Sequence, residues 1–80
     1  MESVFAFQRS IEAIERLVEE EKVAVESLRA KATRSGDTTL GEIYSRVLNI
    51  RLEFIGELEA RLNELRSQAE ITAQINAMFL

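Results

Sequence analysis

Eighty residues with 14 acidic and 10 basic side chains, a net charge of -4, and neither Cys nor His set the outer limits. A chain of that length is at most one domain and buries only about 60% of its unfolded surface. The missing Cys removes disulfides and thiolate metal sites, the missing His removes the commonest general base, and the acidic balance opposes the phosphate neutralisation behind nucleic-acid binding.

The first predicted element begins at about residue 3. Apolar residues recur at alternating steps of three and four through Val4, Phe7, Ile11, Ile14, Val18, Val25, Leu28 and Ala32, with Glu21 the one charged residue in the series. Strands alternate every second residue, so this spacing predicts a helix with a coiled-coil seam, ending near residue 34. Lys31 and Arg34 then place positive charge at the carbonyl end, and Gly36 can take the left-handed cap conformation. The breakers Ser35-Gly36-Asp37-Thr38-Thr39 predict a turn over 35–39 rather than one unbroken rod. Thr39 and Glu42 have capping-box spacing and predict a second helix over about 40–77. Its seam runs Gly41, Tyr44, Leu48, Arg51, Ile55, Leu58, Leu62, Leu65 and Ala69, again with one charged member.

Folding the chain at the turn pairs Phe7 with Leu65, Ile11 with Leu62, Ile14 with Leu58, Val18 with Ile55 and Val25 with Leu48. The same register puts Glu21 opposite Arg51, so the two interruptions share a layer and carry opposite sign. The expected fold is therefore all-α: one antiparallel hairpin of two long helices, spanning 1–80 as a single domain and dimerising into a four-helix bundle.

The reason to expect dimerisation is surplus apolar surface. Leu40, Ile43, Val47, Ile50 and Phe54 form a second stripe on the second helix, while Ala13, Leu17 and Ala24 flank the first seam. A lone hairpin cannot bury both stripes, and exposed apolar patches mark interfaces; small chains without staples also gain stability by association. The expected oligomer interface is Leu17, Ala24, Ile43, Val47, Ile50 and Phe54. A second surplus lies at the chain ends, where Phe5, Phe7, Ile71, Ile75, Met78, Phe79 and Leu80 are the expected docking set for another protein.

Chemistry is sparse. Glu19, Glu20 and Glu21 are consecutive, so they point about 100° apart on a helix and cannot converge on one metal ion. No glycine-rich phosphate loop is present, and no catalytic, cofactor or small-molecule site is expected. Arg29, Lys31, Arg34 and Arg46 form a weak basic group at the turn end, which supports the alternative of a dimeric nucleic-acid-binding regulator. Small bacterial hairpins that dephosphorylate response regulators are similar in size. Their Ser-x-x-Leu-Asp type motif is not reproduced by Tyr44-Ser45-Arg46-Val47-Leu48-Asn49, so no residues carry over. The hairpin length and apolar C-terminal end resemble in architecture the subunits of type III secretion needles, whose turns usually carry the prolines this chain lacks. A second alternative is a subunit of a helical polymer, such as a secretion filament, to which that likeness points, or a viral assembly.

Met1-Glu2-Ser3 lacks the charged end and apolar run of a signal peptide, and no apolar run reaches the roughly 18 residues of a membrane span. The expectation is a cytoplasmic protein, or one exported without a cleavable signal, that acts as a non-enzymatic small chaperone, adaptor or assembly subunit. Its expected partners are a second copy of itself and another protein.

Overall fold

In the computed structural model, residues 4–79 are described. They form two α-helices, α1 (Val4–Ser35) and α2 (Thr39–Met78), packed against each other as a hairpin. Residues 1–3, Leu80 and the side chain of Val4 lie outside this description. The molecule is a rod of 63 × 14 × 14 Å, whose length is that of α2 alone at about 1.5 Å per residue.

The two seams face each other. Val18, Val25, Ile55, Leu62 and Leu65 are buried at 4–8% exposure. Phe7, Ile11, Ile14, Leu28, Tyr44, Leu48, Leu58 and Ala69 are half-buried between and beyond them. Among the described residues no large side chain falls below 2% exposure. The core is one seam wide, because two cylinders touch along a line and leave every seam residue partly open at its flanks.

The turn is held by two residues. Gly36 takes φ +57°, and its N–H donates to the Ala32 carbonyl at 3.1 Å, closing α1 with a left-handed cap. Thr38 then caps α2 in an extended conformation (φ -116°, ψ 166°). Its hydroxyl accepts from the Gly41 N–H at 3.0 Å and donates to the Ser35 carbonyl at 2.9 Å, bridging the two helix ends. The cap is therefore one residue earlier than the Thr39–Glu42 box expected from sequence. With Thr38 as cap, the third helical position is Gly41, which has no side chain to reach back, and the Glu42 N–H instead donates to the Thr38 carbonyl.

Gly41 is buried where the helices first meet. A Cβ at this position would run into the Gly36 carbonyl oxygen, whereas a Cβ at Gly56 would meet open space. The turn is tight because Gly41 lets the Gly36 backbone lie on the α2 surface. Gly41→Ala should lower unfolding free energy by about 1–3 kcal/mol through this clash. Gly56→Ala should raise it by about 0.5–1 kcal/mol through helix propensity. Urea melts of the two variants check the contrast, and shifts of the same sign would show that the turn can relax around the added methyl.

Candidate interaction surface

The helix register is anchored in the middle of the hairpin. Arg51 Nη1 donates to Glu21 Oε2 at 2.8 Å across the interface. Glu21 keeps 14% of its side chain exposed and Arg51 keeps 41%, so the acid is sunk into the seam while the base reaches it from the rim. The two charged seam positions are thus in contact, as their shared layer required.

A second inter-helix pair fixes which flank is which. Arg66 Nη2 lies 3.6 Å from Glu15 Oε2. Glu15 follows the seam residue Ile14, and Arg66 follows Leu65, so residues just after these seam positions share one side of the hairpin. That flank is a polar groove lined by Glu15, Glu19, Lys22, Glu59, Asn63 and Arg66 around Val18 and Leu62. On the opposite flank a second groove brings Ser10 beside Arg61 and Gln68, above Phe7 and Leu65. Counting in heptads from Ser10 and Arg61 in opposite directions places Leu17 beside Phe54 and Ala24 beside Val47.

The hairpin is therefore two-faced, and its apolar flank is assembled from both helices. Leu40, Ile43, Val47, Ile50 and Phe54 are between 36% and 65% exposed along it. Leu17 and Ala24 are half-buried at its edge, and Ala13 is exposed. Counted in this register, the six residues expected at an oligomer interface, Leu17, Ala24, Ile43, Val47, Ile50 and Phe54, fall along this one flank.

The end residues do not form one patch. Phe7 is half-buried in the seam, where it lines a groove with Leu65. Phe5 is exposed on the polar flank with the Arg9 guanidinium 5.7 Å from its ring centroid, a cation–π contact. In the observed register Phe5 stands level with the region near Ser67, so Phe79 lies about 18 Å further along the axis. Phe79 is 85% exposed and follows the line of the seam past the start of α1. Leu80, the last member of that set, falls outside the described residues.

Ile71, Ile75 and Met78 behave differently. Steps of four and three from Phe54 through Glu57, Arg61, Glu64 and Gln68 lead directly onto them, so they lie on the same face of α2 as the second stripe. All three are 45–80% exposed. One face of α2 thus carries two apolar patches separated by a polar stretch, within which Arg61 Nη1 donates to Glu64 Oε2 at 2.8 Å. This continuity is present in the spacing of the sequence, but the charged break hides it when each patch is considered alone.

The remaining polar groups are spread out. Glu19 lies 3.9 Å from Lys22 while Glu21 turns inward to Arg51, so the acidic run diverges. Among the described residues no group of three His, Cys, Asp or Glu side chains is placed to hold a metal ion. Tyr44 is half-buried in the seam. At the turn end Arg29 Nε lies 3.9 Å from Glu26 Oε1, which offsets part of the basic group there. Among the described residues no helix is long and apolar enough to cross a membrane.

No family model matches the chain, and neither does any curated protein or solved structure.

The ion pair is open to a double-mutant cycle. Arg51→Glu should destabilise the hairpin by about 2–3 kcal/mol by setting two carboxylates together in the seam. Adding Glu21→Arg should recover part of that loss, with a coupling of about 0.5–2 kcal/mol. Chemical denaturation of the four proteins reads the coupling, and additive effects would mean that the contact contributes nothing to register.

Proposed function

We propose that this chain is a non-enzymatic helical interaction protein of the small-chaperone, adaptor or assembly-subunit type, whose hairpin self-associates into a four-helix bundle. The interface is Leu17, Ala24, Ile43, Val47, Ile50 and Phe54. The observation that carries this reading is the apolar turn-proximal part of one flank: both helices contribute to it, and Leu40, Ile43, Val47, Ile50 and Phe54 remain 36–65% exposed in the hairpin.

The driving force is removal of that flank from water, about 25 cal/mol per Å2 of apolar surface before the costs of association. Two hairpins packed flank to flank would surround a second core with four helices, a common antiparallel bundle arrangement. The absence of His and Cys from the sequence supports the same reading, since a bundle built for chemistry draws its ligands and bases from those residue types. The exposed tail residues Ile71, Ile75 and Met78 call for a covering polypeptide as well.

Val47→Asp tests the proposal. A carboxylate at the centre of the flank should weaken association by about 2–4 kcal/mol, roughly 30- to 1000-fold in dissociation constant. Sedimentation equilibrium at micromolar concentration should find a dimer for the parent chain and a monomer of equal helicity for the variant. A parent chain that is monomeric with full helicity would overturn self-association and assign the flank to a different protein.

A further inference from the structure

We infer that the second copy lies antiparallel along the whole of α2, so that the C-terminal patch of each hairpin covers the turn-proximal patch of the other. This rests on the self-association proposed above and specifies its register and its occupant.

The argument starts from the step pattern of the face. From Leu40 it ascends by three, four, three and four through Ile43, Val47, Ile50 and Phe54, and from Met78 it descends by the same steps through Ile75, Ile71, Gln68 and Glu64. Two copies of the face can therefore be laid head to tail with every layer in phase. Leu40 of one copy then faces Met78 of the other, Ile43 faces Ile75, and Val47 faces Ile71. At the two-fold axis Glu57 of each copy faces Arg61 of the other. Apolar surface meets apolar surface at both ends, and opposite charges meet at the centre.

The two poorer layers are tolerable. Glu64 faces Phe54, but its carboxylate is drawn along its own helix to Arg61 at 2.8 Å, leaving its methylenes toward the ring. Gln68 faces Ile50 with an uncharged side chain. Centring the axis between Glu57 and Arg61 also puts it at the midpoint of α2, Thr39–Met78, so the two helices overlap from end to end with no overhang.

The area fits. The eight large side chains from Leu40 to Met78 on this face are each 36–80% exposed. At on the order of 100 Å2 apiece they offer about 800 Å2 per copy, the share each partner contributes to a standard stable interface. The competing register pairs the turn-proximal patches with each other, Ile43 against Phe54 and Val47 against Ile50. It sets Leu40 against Glu57 and leaves Ile71, Ile75 and Met78 uncovered, so the same molecule would bury less and strand a patch.

The chain has no cysteine of its own, so introduced pairs report the register cleanly. A chain carrying Ile43→Cys and Ile75→Cys should oxidise to a covalent dimer, because those positions adjoin across the axis. Within one chain they are about 48 Å apart and cannot bridge. A chain carrying Ile43→Cys and Phe54→Cys should stay uncrosslinked. The reverse result, with only the second chain crosslinking, would overturn this register while leaving self-association intact. A parent chain that sediments as a monomer at every concentration would instead remove the premise. Small-angle scattering gives an independent reading. The full overlap keeps the dimer close to the 63 Å length of one hairpin, whereas the competing register is about 30 Å longer and would refute the inference.

Discussion

Register in this hairpin depends on the Glu21–Arg51 contact, because little else in the seam distinguishes one alignment from the next. Apolar layers such as Val18, Val25, Ile55 and Leu62 are nearly interchangeable in size and shape, and a slide of one heptad would still pack them. The same slide would set Glu21 against Tyr44 or Leu58 with no base in reach. A partly sunken ion pair adds little net stability, since desolvation offsets most of the attraction, but an unpaired carboxylate in the seam costs several kcal/mol. The pair therefore acts by raising the free energy of wrong alignments. Everything that gives the surface its character follows from that alignment: which residues flank the seam, which side is polar, and where α2 outruns α1.

The second constraint is the thinness of the core. With one seam and no large described side chain fully enclosed, the hairpin has little reserve against the conformational entropy of its residues. The turn answers part of this locally, through the Gly36 cap, the doubly bonded Thr38 hydroxyl and the close approach permitted by Gly41. The apolar flank answers the rest only if something covers it. Under the proposed function, folding and association are thus thermodynamically linked, and the stability of the hairpin depends on its concentration.

Both helices and their pairing were legible in the sequence because seam spacing is a local property that survives any context, and because the two charged breaks coincide in one layer. The turn was legible as a cluster of breakers, but its cap was displaced by one residue. Thr38 and Thr39 are chemically equivalent there, and with Thr38 as cap the Gly36 carbonyl lies against Gly41, a close backbone approach that seam spacing does not encode. The flanks were harder. That Leu17 and Ala24 share a side with Val47 and Phe54, while Glu15 shares the other with Arg66, depends on how one helix is rotated against its partner. Axial nearness alone groups Phe5 and Phe7 with the tail, whereas rotation about the helix sends Phe5 to the polar flank and leaves Phe7 half-buried in the seam. The alignment of Ile71, Ile75 and Met78 with the second stripe needed no structure, only a count carried across Glu57, Arg61, Glu64 and Gln68.

Two-facedness also bears on what kind of assembly the chain can make. A polymer needs two different apolar surfaces per subunit, one to give and one to receive. Here the flank opposite the apolar one is lined by Glu15, Glu19, Lys22, Glu59, Asn63 and Arg66. Among the described residues, the large apolar side chains exposed away from the apolar flank are Phe5, Val23, Leu52 and Phe79, widely separated along the chain. Single exposed apolar residues are ordinary on any surface and do not build an interface. A face that is complementary to itself about a two-fold axis closes on pairing and presents nothing further to extend. Under the proposed function, this distribution of charge and apolar surface suits a closed dimer better than an open filament.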